Sequence, residues 1–265
     1  MRGLDVVARA LPLRPPARSL LLKDVKTFLR DTTQWSQLLL LFALMLVYLY
    51  NFRVLDLDRI PYMSGVVKNA YAVVNLAMAA FVLSAVAVRF VFPSVSAEGP
   101  AFWVIRTSPV PMRSFLWSKF WTGLVPVLIV AEALTVVSNY YLGAAPFLRV
   151  LGAVAIFFMT FALVGLATGM GAIYPRFNAE NLTQVAGSYG GIGYMVLAVL
   201  FILVEVALLG WSSSIRLWHE YRGIRIPPSQ VALMVSLLLT AVGIAIATFW
   251  TAMQRGIRAL EALGR

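Results

Sequence analysis

Six long, continuous apolar runs divide this chain, over residues 35–52, 66–92, 115–142, 147–174, 185–210 and 231–250. A helix that crosses a bilayer needs about 20 mainly apolar residues, and each run comes near or exceeds that. In lipid every backbone N–H and C=O must be satisfied within the protein, so such runs fold as spanning helices. A closed β-barrel is excluded because its strands alternate apolar and polar residues, whereas these runs are unbroken. Composition agrees: 61% of the 265 residues are hydrophobic and 12% charged, where soluble domains carry about 25% charged residues. The second and third runs exceed the bilayer thickness, which implies tilt or extension beyond it.

The net charge of +11 is explained by topology and not by nucleic acid, because the basic residues fall in the gaps between apolar runs. Fifteen of the 22 Lys and Arg lie on one side, in the N-terminal tail, the second and fourth loops and the segment after Trp250. The positive-inside rule makes that side cytoplasmic, with both termini, and implies a multi-pass protein of the cytoplasmic (inner) membrane. No cleaved leader is read in the first 33 residues, which lack a long apolar stretch.

The pieces outside the spans differ in character. Leu21, Val25, Phe28 and Leu29 share one face while Lys23, Asp24, Lys26 and Arg30 turn elsewhere, which predicts an amphipathic helix at the interface. Residues 211–228 form the longest external connection, with Trp211, Trp218 and Tyr221 suited to the headgroup region. The expected organisation is a tail and interface helix over 1–33, a six-span domain over 34–252 and a cytoplasmic tail over 253–265.

Reactive constellations are sparse. There is no cysteine and one histidine, His219, so thiol chemistry and Cys/His metal clusters are excluded. No Gly-x-x-x-x-Gly-Lys-Ser/Thr loop occurs, so ATP phosphates have no P-loop here, and no acidic cluster suggests bound Mg²⁺. The stretch "GSYG" at 187–190 resembles the serine motif of rhomboid-type proteases. Its base would have to be His219, in an external loop, and glycines at small-xxx-small spacing (Gly165 and Gly169, Gly187 and Gly191) serve close helix packing. Two carboxylates fall inside spans, where such groups are functional candidates. Glu132 lies at mid-depth and needs a partner or a water-filled cavity. Glu205, nearer the outer interface, reads as paired with a polar neighbour or reaching the headgroups. Asn69, Asn75 and Asn139 follow the same logic.

Between the second and third runs lies "EGPAFWVIRTSPVP", residues 98–111. Ser94 and Ser96 are available as caps, Pro100 suits a first helical turn, and Pro109 and Pro111 stop the helix. Residues 101–107 then make about two turns, with Phe102 and Ile105 on one face and Trp103 and Arg106 turned away. The residues alone support two readings of this rigid helix, an aromatic interface anchor and a docking knob.

The segments "KDVKTFLRDTTQWSQ" (23–37), "FPSVSAEGPAFWVIRTSPVPMRSFLWSKFW" (92–121) and "YPRFNAENLTQ" (174–184) resemble the transmembrane permease subunits of type-2 ABC transporters, in the branch of ABC exporters. Longer members carry two six-span halves, and this chain is similar to the C-terminal one. The resemblance implies an all-α membrane fold of six spans, with an interface helix at 19–30, a coupling helix at 100–108 and an external re-entrant segment at 211–228. It implies contact with an ABC ATPase subunit through Glu98, Gly99, Phe102, Trp103, Ile105 and Arg106, and a second contact through Tyr174, Arg176, Phe177 and Glu180. Glu132, Asn139 and Glu205 become candidates for a translocation path. No cofactor is then expected on this chain, ATP and Mg being carried by the partner, and a second permease half completes the path as homodimer or heterodimer. On that expectation the chain is not an enzyme but an ATP-driven exporter's permease. The alternatives are an ion- or proton-coupled carrier using Glu132 and an intramembrane protease using Ser188.

Overall fold

The computed structural model describes residues 65–179 and 181–263, together with Lys23, Lys26, Leu39, Phe42, Ala43 and residues 45–50. The interface helix at 19–30, most of the first expected span and Glu180 therefore lie outside the described residues. Every element among those described is helical: α1 (Gly65–Phe90), α2 (Phe102–Thr107), α3 (Met112–Tyr141), α4 (Pro146–Ile173), α5 (Leu182–Ala186), α6 (Tyr189–Arg222) and α7 (Pro228–Ala262), with two 3-10 turns at Phe92–Ser94 and Ser96–Ala101. Five helices, α1, α3, α4, α6 and α7, are long and apolar enough to cross a membrane. This is an all-α, membrane-type protein, and a sixth span is not among the described helices.

Punctuation in the sequence sets the helix ends. Pro146 and Pro228 open α4 and α7, where a missing N–H removes no intrahelical bond. Gly143 and Gly223 adopt left-handed φ of 60° and 66°, closing α3 and α6 in a conformation that disfavours side chains. Two expected boundaries move outward. Residues 211–222 are not a re-entrant segment but the last three turns of α6, because no glycine or proline interrupts the chain between Gly210 and Gly223. Beyond Trp250 the chain continues as α7, since Ala252, Met253, Gly256 and Leu260 keep one face buried while Arg255 and Arg258 stay exposed.

The core centres on α4, which packs against α1, α3, α6 and α7. Glycine makes the tightest of these contacts possible. A Cβ on Gly169 would fall on the Ala252 carbonyl, and one on Gly256 would sit 2.9 Å from the Gly169 Cα. The α4 and α7 backbones therefore touch along Gly165, Gly169, Ala252 and Gly256, as the small-residue spacing predicts. Ser188 is the N-cap of α6, accepting from the Gly191 N–H at 3.4 Å. His219 lies at the other end of the same helix, about 46 Å along its axis, so the pair cannot act together as nucleophile and base.

Candidate functional site

The segment after α1 folds into a compact cap. Val91 continues from the helix, the 3-10 turn at Phe92–Ser94 buries Phe92 and Pro93, and a second turn follows at Ser96–Ala101. Gly99 breaks this turn with φ 56° and ψ −147°, backbone that glycine adopts without strain. Pro100 therefore stands in the 3-10 turn, and α2 begins at Phe102. Ser94 and Ser96 do not cap it. The Ser96 hydroxyl accepts from the Arg176 N–H at 3.0 Å, and the buried Ser94 Oγ has no hydrogen-bond partner among the described residues. At its far end the Ser108 hydroxyl donates to the Ile105 carbonyl at 2.6 Å, and Pro111 opens α3.

The inward face of α2 is aromatic. Phe102 is stacked on Phe177, ring centroids 4.4 Å apart and planes within 15°, and leans on Phe115 of α3 at 5.9 Å. Its buried neighbour Ile105 completes the face. Outward stand Trp103, 65% exposed, with Val104 and Arg106. Of the expected contact residues, then, Trp103 and Arg106 are available at the surface, whereas Phe102 and Ile105 hold the helix down.

Glu98 is the electrostatic centre of the cap. Its side chain is 7% exposed and accepts hydrogen bonds from Lys119 Nζ at 2.6 Å and from Lys23 Nζ. Burial by itself raises the carboxyl's pKa, but the charges and hydrogen bonds of Lys119 and Lys23 outweigh it and hold it below 4.5. One carboxylate thus ties together the N-terminal segment, the cap and α3. Lys119 sits two turns into an apolar helix, where a buried cation calls for an anion without the sequence naming which one.

The second expected contact segment joins the first. Tyr174 ends α4 and packs over Gly190, where a Cβ would lie 2.6 Å from its own Cβ. Arg176 reaches Ser96 through its backbone, and Phe177 carries Phe102. The two loops form one structure. The in-span candidates do not converge in the same way. Asn139 belongs to a buried network in which Tyr48 Oη donates to Asn75 Oδ1 at 2.6 Å, and Asn75 Nδ2 donates to Ser138 Oγ at 2.7 Å and Asn139 Oδ1 at 3.1 Å. Gly152 gives Asn139 its room, since a Cβ there would lie 2.8 Å from Asn139 Nδ2. Glu132 lies two turns from Asn139 on α3 and is half-buried. Glu205, on α6, is 2% exposed, and among the described residues its Oε1 has no hydrogen-bond partner. Asn69 caps the start of α4, accepting from the Ala145 N–H at 3.3 Å.

A family model described as "Putative ATP-binding cassette" matches residues 1–264. The chain belongs to this ATP-binding cassette family. No curated protein and no solved structure matches it. Membership of a family named for ATP binding overturns three linked expectations: a permease function, a chain with no enzymatic capacity, and ATP and Mg confined to a partner. The carrier and protease alternatives fall with them. A nucleotide site needs a loop of backbone N–H groups around the phosphates and oxygen ligands for Mg²⁺. Among the described residues no group of three or more His, Asp or Glu stands together, and no strand leads into a phosphate loop. The described residues do not fit ATP–Mg.

Proposed function

We propose that this chain is a membrane-embedded helical component of an ATP-binding cassette transport assembly, and that its cap is where movement of a nucleotide-hydrolysing domain enters the helix bundle. The observation that carries this reading is the cap's construction. Trp103, Val104 and Arg106 project from a two-turn helix whose other face is stacked on Phe177 and whose flank is ionically fixed to α3 through Glu98 and Lys119. A surface that transmits displacement must be stiff, because a compliant connector absorbs the motion. Here the load path runs from α2 through Phe115 and Lys119 into α3, and through Phe177 into the end of α4. The excess of Lys and Arg on the cap's side supports a cytoplasmic position for it.

The test is nucleotide hydrolysis by the assembled transporter. Trp103→Ala and Arg106→Ala, both at exposed positions, leave insertion and folding intact and lower transport-coupled ATP hydrolysis at least about tenfold. Unchanged coupling in both variants overturns the reading.

A further inference from the structure

At the end of the bundle opposite the cap, the last three turns of α6 and the first turn and a half of α7 diverge and leave a cleft of about 510 Å³. Its lining changes character along both helices: Trp211 and Ile215 of α6 and Leu233 of α7, farther from the helix ends, are apolar, while His219 and Arg222 of α6 and Gln230 of α7, nearer those ends, are polar. Arg222 lies with its guanidinium 4.3 Å from the Trp218 ring centroid and makes no ion pair among the described residues. Stacking of this kind fixes the plane of the guanidinium and leaves its N–H edge for an anion. His219 is positioned as well, its Nδ1 2.8 Å from the Ile215 carbonyl, so Nε2 is the ring nitrogen left for the cleft.

The volume falls in the range of roughly 300–1,000 Å³ typical of small-ligand sites. The position is at a bilayer interface, since α6 and α7 are both long and apolar enough to cross a membrane and the cleft lies where they end. A cation at the helix ends with apolar side chains deeper along the same helices complements an amphiphile with an acidic head, which at a membrane surface means lipid. We propose that this cleft binds the headgroup of an anionic phospholipid, its phosphate against Arg222, His219 and Gln230 and its first acyl carbons against Trp211, Ile215 and Leu233. Such a lipid bridges α6 and α7 at the turn between them.

The full chain in phosphatidylcholine nanodiscs, doped with a small fraction of brominated phosphatidylglycerol or brominated phosphatidylcholine, provides the test. Bromine quenches nearby indoles, so the acidic lipid quenches Trp211 and Trp218 several-fold more than the neutral one at equal fraction. Arg222→Gln lowers the apparent affinity for the acidic lipid about five- to tenfold, and Gln230→Ala lowers it less. Arg216→Gln removes the same charge six residues earlier, where the guanidinium stacks on Phe147 at 4.1 Å outside the cleft, and leaves the preference intact. Equal quenching by both lipids overturns the proposal, as does an equal loss in Arg216→Gln, which would reduce it to surface charge. Loss of the preference on adding inorganic phosphate at about 10 mM also overturns it, in favour of a free-anion site.

Discussion

Two carboxylates, Glu98 and Glu205, illustrate opposite ways of burying an acid. Glu98 is held by two cations, so removing its charge breaks its buried ion pair with Lys119. Glu98→Gln should therefore cost about 3 kcal/mol, the lower end for breaking a buried pair, read as a lower thermal midpoint in detergent and faster proteolysis of the cap. The pH dependence has a definite sign. Because the folded carboxyl is held below 4.5, its contribution is fully present above the ordinary carboxylate range and is lost as pH falls through the lowered value. Cap stability should be level from about pH 6 to 8 and decline below about pH 4.5 in the native chain, and Glu98→Gln should flatten that decline. Among the described residues the Oε1 of Glu205 has no hydrogen-bond partner. Glu205→Met should raise stability by about 1–3 kcal/mol, since an unsatisfied polar group is removed with little change of volume. A destabilised Glu205→Met protein in the same melting experiment would mean that the carboxylate is satisfied after all.

At the level of the helices, α4 and α7 approach closely enough for their backbones to touch, and the approach rests on missing side chains. Any Cβ at Gly169 meets the Ala252 backbone, which cannot swing aside as a side chain can. Gly169→Val should separate the pair and cost more than about 3 kcal/mol, whereas Gly243→Ala, with nothing within 4 Å of the new Cβ, should be neutral or slightly stabilising. Size-exclusion profiles and melting of the two variants make the comparison. Gly165 and Gly169 were readable as a packing stripe because small residues four apart share a helix face. The partner helix was not readable, since the spacing says nothing of which surface fills the groove. The length of α6 was misread for a related reason. Trp, Arg and His lower the mean hydropathy of residues 211–222 and suggest a loop, yet the same residues continue a helix when no breaker intervenes.

For the whole molecule, the described helices place the cap and the loop after α4 at one end and the turns at Gly143 and Gly223 at the other. The absence of native cysteine makes this directly testable. Arg106→Cys and Arg176→Cys should react with an impermeant maleimide from the same side of sealed vesicles, and Arg225→Cys from the opposite side. Labelling of Arg106→Cys and Arg225→Cys from one side would break the arrangement of α3, α4 and α6.

Continuous apolar runs and the lack of alternation were enough to establish a helical membrane protein, because lipid leaves the backbone no other partners. Prolines and glycines marked most helix ends, and the two faces of residues 102–107 followed from helical spacing alone. The sequence pattern could not show that Glu98 meets Lys119, that Phe102 lies on Phe177, or that Asn75 and Asn139 share one network. Those pairs lie 21, 75 and 64 residues apart, and only the packing of α1, α3 and α4 brings them within reach. Long-range pairing depends on which helix faces meet, and periodicity describes a face without naming its partner. The tertiary structure accordingly decided that two loops, read separately as first and second contacts, are joined in one cap.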